Sequence, residues 1–392
     1  MGHGRRLRLV AAVAVVGLAM AACSSSGSSS SSSSSSSNAS GSATCSGVSL
    51  GFFGALTGSS ANLGVNERNG EKLAIDQFDA ANPNCKVTLV EFDSQGDQTQ
   101  APALATKAVG EAAIIGVVGP AFSGESKTGD PIFDEAGMPT ITASASNTKL
   151  SSNGWKTFHR AIGNDDAQGP SAAAYIKNDV KATKVAVIDD ASEYGKGIGD
   201  TVRSKLGSLV VVNDVIDPTA TIFDTTVNKV KSSGADAVFF GGYYAAAGLL
   251  QKQLFDAGVK AKFVAPDGSN DKGFVEAAGA AAEGAVLTAP AVPNDHITGG
   301  DQFVKDYKAA FNTDVGLYSA EAYDAANFFL QGIKAGNTTR EKLLAYLNGG
   351  ATYKGLTKTY SFDAHGELSG QVIIWGYTVT NGAIVPLKDL SL

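Results

Sequence analysis

The side chains able to do chemistry are few. Four histidines (His3, His159, His296, His365) and three cysteines (Cys23, Cys45, Cys85) occur in 392 residues. None stands at metal-ligand spacing, and HExxH and CxxC are both absent, so a zinc or iron–sulfur site is not expected. Ser123, in Ala121-Phe122-Ser123-Gly124, lacks the leading glycine of a nucleophile elbow. Asp165-Asp166 and Asp189-Asp190 are adjacent carboxylates, but neighbours in sequence point apart and serve turns more readily than acid–base catalysis. His159 reads as a packed histidine rather than a general base. No cofactor is implied, and a hydrolase is the least supported of the functions weighed below.

The elements that must position such residues need a buried core. With 43% hydrophobic and 18% charged residues the chain can build one, which excludes wholesale disorder. Its 31 Lys plus Arg against 38 Asp plus Glu give a net charge of -7, no electrostatic basis for gripping a phosphate backbone, so nucleic acid is not an expected partner.

Arg5, Arg6 and Arg8 precede an apolar run from Leu9 to Ala22. Its 14 residues fall short of the roughly 20 needed to cross a hydrocarbon core and read as a secretory signal. The run ends Leu18-Ala19-Met20-Ala21-Ala22-Cys23, which resembles a bacterial lipoprotein box with Cys23 the acylated residue; otherwise Cys23 is incidental to an ordinary signal. Residues 24–37, 13 Ser and one Gly, cannot bury apolar surface and read as a solvated tether. Expected boundaries are 1–22 for the signal and 23–45 for the tether. Removing residues 1–22 takes away three arginines and no acid, moving the charge from -7 to -10. Cys45 and Cys85 each sit just before an expected strand; in an oxidising compartment they are either bridged or two buried thiols.

After the tether, strand-like and helix-like segments alternate: 49–53, 87–92, 114–119 and 140–142 as strands, with helices at 66–80, 98–111 and 124–135 between them. The pattern restarts with helices at 169–178, 196–206, 223–232 and 248–257 and strands at 184–189, 210–216, 237–241 and 263–265. Helices at 300–311 and 319–335 and strands at 359–362 and 371–379 follow. One sheet of that size would be unusually wide, so the fold class is α/β with two Rossmann-like lobes. The chain is expected to pass between them near Arg160–Gly163, Thr288–Pro290 and Lys358–Tyr360, giving 46–161 plus 290–357 as lobe I and 162–289 plus 358–392 as lobe II. Three passages make a hinge, and the cleft beside the carboxyl ends of the strands is the natural site.

From about Val48 to its C-terminus the chain resembles the branched-chain amino acid binding proteins of ABC importers, in the type I periplasmic binding protein fold. The carriers are Gly54-Ala55-Leu56-Thr57-Gly58, Gly119-Pro120-Ala121-Phe122-Ser123, Ile141-Thr142-Ala143-Ser144-Ala145-Ser146, Asp165-Asp166-Ala167-Gln168-Gly169-Pro170, Tyr194-Gly195-Lys196-Gly197 and Gly241-Gly242-Tyr243. Each is weak alone; their order and spacing are specific. The resemblance implies that Ser123, Ser144 and Ser146 hold a ligand carboxylate through hydroxyl and backbone donors. It implies that Tyr194 and Tyr243 close over the ligand, that Asp267 faces its α-ammonium, and that Tyr318 and Leu63 line its side-chain pocket. The plainer readings are a helix cap for Ser123, a turn for Asp267, rim aromatics for Tyr194 and Tyr243, surface packing for Tyr318 and core packing for Leu63. Two departures bear on specificity: the family more often has Glu at position 267 and Tyr or Trp at position 63.

The leading function is therefore capture of a small amino acid, a branched-chain aliphatic one, by a monomeric lipoprotein. It would be tethered through Cys23 to the outer face of the bacterial cytoplasmic membrane and deliver its ligand to an ABC permease. Hinge closure supplies affinity, because contacts from both lobes exist only in the closed state. The alternative is a lipoprotein that senses amino acids or amide-like solutes for a signalling partner. Both use closure, so deletion and uptake measurements separate them.

Overall fold

The computed structural model describes residues 45–392; the signal, the tether and Cys23 lie outside the described residues. In the first half, β1 (Cys45–Gly54), α1 (Ala61–Ala81), β2 (Cys85–Asp93), α2 (Ala101–Gly110), β3 (Ile114–Val118), α3 (Ser123–Glu135), β4 (Thr140–Thr142) and β5 (Phe158–Arg160) build a parallel sheet in the order β2-β1-β3-β4-β5. Next come α4 (Asp165–Asn178), β6 (Val185–Asp189), α5 (Glu193–Leu206), β7 (Val210–Val215), α6 (Asp224–Ser233), β8 (Ala237–Gly241), α7 (Tyr244–Asp256), β9 (Lys262–Ala265), α8 (Lys272–Ala278) and β10 (Val286–Ala289). The chain then adds α9 (Gly300–Phe311), α10 (Ser319–Lys334), α11 (Arg340–Asn348) and the short pair β11 (Tyr353–Lys354) and β12 (Thr359–Tyr360). Last come β13 (Trp375–Thr380) and β14 (Ala383–Asp389), which complete a second sheet, β14-β13-β10-β9-β8-β6-β7, as an antiparallel edge.

Each central strand is apolar on both faces because helices cover both. In β6, Val185 and Val187 point into one core and Ala186 and Ile188 into the other; in β8, Ala237 and Phe239 alternate likewise with Val238 and Phe240. The first sheet is covered by α1, α10 and α11 on one face and by α2 and α3 on the other. Cys45 and Cys85 start paired strands and are joined by a disulfide. Among the described residues no helix is long and apolar enough to cross a membrane.

Three features differ from the sequence expectation. α1 begins at Ala61 rather than Asn66. Gly64, which looks like a loop residue, is a packing requirement there, since a Cβ would lie 1.9 Å from the Ala55 carbonyl oxygen. Strands β5, β10, β11 and β14 and helices α8 and α11 are additional elements, and the strand expected at 371–379 is β13. The third passage falls at about 369–374, later than Lys358–Tyr360: Tyr360, Phe362 and Leu368 pack into the first core, and Glu367 pairs with the buried Arg160 at 2.9 Å.

Candidate functional site

The loops that leave the carboxyl ends of the parallel strands meet between the two sheets. From the first sheet come Leu63 and Glu67, one turn apart on α1, the 121–123 segment running into α3, and Ser144 after β4. From the second come Tyr194 in the first turn of α5, Tyr243 after β8, and Asp267 and Gly268 after β9. Tyr318, the residue before α10, completes the ring. These side chains enclose a cavity of about 20 Å³, room for roughly one water. The lobes are closed on each other here: Phe122 packs edge-on to Tyr243 at 5.3 Å, Asn147 Nδ2 donates to the Glu193 carbonyl at 2.6 Å, and Asn62 Nδ2 donates to Asp271 at 2.7 Å.

Asp267 is the electrostatic centre. It is buried, and its two oxygens accept from Tyr194 Oη at 2.6 Å and Tyr318 Oη at 2.7 Å, one hydroxyl from each side of the cleft. Burial pushes its carboxyl above the usual carboxylate range, and the two tyrosine hydroxyls pull it back. Gly268 makes the arrangement possible: its N–H donates to Tyr194 Oη at 2.9 Å, and a Cβ would lie 2.6 Å from the Tyr194 ring. Tyr194 and Tyr243 rings sit 5.2 Å apart. Among the described residues no cationic side chain lines the cavity.

Across from Asp267 stand neutral donors, a helix N-terminus and the carboxyl group of Glu67. Ser123 is the first residue of α3 and makes no cap; its hydroxyl accepts from Asn147 N–H at 3.2 Å. Ser144 Oγ donates to the Ala121 carbonyl at 2.5 Å. Below them Glu125 accepts from the Ser94 hydroxyl and from Phe122 N–H at 3.3 Å, and burial pushes its carboxyl up to about 8.

Of the eight residues singled out by sequence, Leu63, Ser123, Ser144, Tyr194, Tyr243, Asp267 and Tyr318 line this one cavity, and Ser146 does not. Ser146 is fully buried beside Asp165, and among the described residues its hydroxyl has no hydrogen-bond partner. Glu67, Ala121, Phe122 and Gly268 are the lining residues sequence reasoning missed. Glu67 carried a readable signal, an acid four residues after Leu63 on the buried stripe of α1. His159 is packed, with Nδ1 3.0 Å from the Thr140 carbonyl and Nε2 2.8 Å from Asn348 Oδ1. Asp190 serves a turn, accepting from Ser192 N–H and Oγ. Beyond Tyr318 a larger groove of about 810 Å³ opens between α8, α9 and β14.

Two carboxyl-end loop sets facing each other across a cleft, with three chain passages between the sheets, define a hinged binding protein of the type I class. Residues 47–381 match the periplasmic binding protein family model, and the chain belongs to that family. It is 31% identical to the leucine-, isoleucine-, valine-, threonine- and alanine-binding protein of Pseudomonas aeruginosa, over 82% of this chain and 87% of that protein. It is 30% identical to the Leu/Ile/Val/Thr-binding protein of Salmonella typhimurium, over 82% of this chain and 89% of that protein. The crystal structure of the branched-chain amino acid transporter substrate binding protein LivJ from Streptococcus pneumoniae, in complex with isoleucine, superposes with a TM-score of 0.80 at 26% identity, covering 87% of this chain and 99% of that one.

Proposed function

We propose that this protein captures a small amino acid with a branched aliphatic side chain, outside the cytoplasm, and hands it to an ABC permease. The observation that carries the reading is the polarity of the cavity. A buried carboxylate oriented by two tyrosine hydroxyls stands at one side, and hydroxyl, amide and helix N-terminal donors at the other. A zwitterion matches both ends, its ammonium toward Asp267 and its carboxylate toward Ser123, Ser144 and the start of α3. Leu63, Phe122 and the tyrosine rings supply an apolar wall. The names of the relatives support leucine, isoleucine and valine as the first ligands to test. Leucine and valine differ by one methylene, worth about 1–3 kcal/mol, so cross-binding among aliphatic side chains is expected.

In this reading 46–161 with 290–368 forms one lobe and 162–289 with 375–392 the other, the lobes open and close about the three passages, and the protein works as a monomer. Binding and release need no bond to be made or broken, so the function is not enzymatic. Acylation of Cys23 would hold the protein at the outer face of the membrane, with the serine tract as spacer. The test is calorimetric titration of leucine, isoleucine and valine into the wild type and Asp267→Ala. Leaving the ammonium without its carboxylate costs about 3–5 kcal/mol, a loss of at least about a hundredfold in affinity. Equal affinity in the variant would remove Asp267 from the site.

A further inference from the structure

Asp267 is not the only carboxyl group in the cavity. Glu67 also lines it, is 1% exposed, and among the described residues neither of its oxygens has a hydrogen-bond partner. Asp267, the other acid lining the cavity, is engaged by two tyrosine hydroxyls, and Glu125 behind the lining by Ser94 and the Phe122 N–H; Asp165, near Asp267 but outside the lining, also has both oxygens open among the described residues. The Ser144 hydroxyl, which bears on the Glu67 carboxyl, donates to the Ala121 carbonyl at 2.5 Å. A buried carboxyl that accepts no hydrogen bond, in a cavity that no cationic side chain lines among the described residues, is suited to receive a cation.

We propose that Glu67 is a ligand-binding residue, the lobe I half of a two-carboxylate clamp whose other half is Asp267, and that the ligand's ammonium group sits between them. This rests on the amino-acid reading above and deepens it. An ammonium group has three donors, and a single carboxylate already accepting two tyrosine hydroxyls leaves part of that capacity unmet. Glu67 reaches the cavity from α1 and Asp267 from the loop after β9, so one cation bridges the lobes and favours the closed state directly.

The clamp makes binding proton-linked. Burial pushes the Glu67 carboxyl well above the usual carboxylate range; the Ser144 hydroxyl pulls it back, and Glu125 and Glu321 add to the rise. The titratable and charged groups around it are Glu125 of α3, Glu321 of α10 with Lys358 3.9 Å from it, Glu71 of its own helix, and Tyr194, Tyr243, Asp267 and Tyr318 in the lining of the same cavity. Before ligand arrives, burial makes Glu67 hold its proton more readily than an exposed carboxyl does. When the ammonium approaches, the carboxyl gives its proton to solvent and the resulting anion pairs with the cation, so one positive charge enters as one proton leaves.

The experiment is titration of leucine into the purified protein at about pH 7 in two buffers of different ionisation enthalpy, which counts protons released, on wild type, Glu67→Gln and Asp267→Asn. Expected is a release approaching one proton per leucine in the wild type and none in Glu67→Gln, whose affinity falls about tenfold or more. In the wild type, leucine affinity should rise from pH 6 to 8. Glu67→Gln removes a buried ionisable group without changing shape, so its melting temperature should equal or exceed that of the wild type, which checks folding. Glu67→Leu, should Glu67→Gln fail to fold, must show the same loss of proton release. Leucine affinity and proton release unchanged by either variant overturn the clamp while leaving the amino-acid reading intact if Asp267→Asn weakens binding. Failure of the wild type to bind any of leucine, isoleucine, valine, threonine and alanine overturns both.

Discussion

Tyr318 holds a backbone φ of 65°, in the left-handed region that a bulky side chain rarely adopts, and is 3% exposed. A conformation of that kind costs of order 1–3 kcal/mol and persists only where the surroundings fix it. Here the fixing contact is the 2.7 Å hydrogen bond from Tyr318 Oη to Asp267, which also orients the carboxylate toward the cavity. Tyr318→Phe keeps the ring and removes the hydroxyl, leaving one Asp267 oxygen short of a donor. The buried acid then needs more help from the ligand, and the lobes lose a bond that exists only when they are closed. Amino-acid affinity should fall about 10- to 100-fold, the equivalent of 1–3 kcal/mol, with the melting temperature of the ligand-free protein lowered by only a few degrees. Titration of both proteins decides it; a variant binding as tightly as wild type would reduce Tyr318 to a packing residue.

At the scale of elements, the disulfide and the site lie at opposite ends of the same strands. Cys45 and Cys85 are the first residues of β1 and β2, whereas Leu63 and Glu67 follow the carboxyl end of β1. The bridge closes a loop of sequence separation 40, worth about 2–4 kcal/mol in the chain-entropy account. A Cys45→Ser/Cys85→Ser variant should therefore melt several degrees lower yet bind leucine with wild-type affinity, by thermal unfolding and titration; a large loss of affinity would show that strain is transmitted along the sheet. The strands were readable because buried parallel strands are continuous apolar runs such as 114–118 and 237–241, and the sites because loops after such strands carried Ser123, Tyr194, Tyr243 and Asp267. What escaped reading depends on distant contacts. The first turn of α1, Ala61-Asn62-Leu63-Gly64, carries a helix-weakening glycine, and Gly64 lets it lie against Ala55. Strand β5 has only three residues and exists through pairing with β4. Glu67 is signalled only by its place four residues after Leu63, and its burial shows once α1 is packed.

For the molecule as a whole, the unusual property is how many carboxyl groups the fold buries. Burial holds Glu67, Glu71 and Asp130 well above the ordinary range and pushes Glu125 and Asp165 up to about 8 and Asp190 to about 6. An unfolded chain gives up these protons near pH 4. Between there and about pH 8 the native state therefore binds more protons than the unfolded state, and stability falls as pH rises. The opposite contribution comes from acids such as Asp93, Asp214 and Asp236, which hydrogen bonds hold low despite partial burial; their stabilisation is lost only as pH drops through and below about 4. The ligand-free protein should consequently melt highest near pH 5 and progressively lower at pH 7 and 8.5, followed by calorimetry at fixed ionic strength. A flat or rising profile would mean that water or ions already neutralise the buried acids. Leucine should act against this slope. If its ammonium replaces the proton on Glu67, the stabilisation it confers at a fixed excess grows from pH 6 to 8, where that proton is easier to remove. The same scan on Glu67→Gln should keep the falling profile of the ligand-free protein, set by the remaining acids, while the leucine-induced shift becomes independent of pH. A shift that still grows with pH in that variant would place the linked proton on another group.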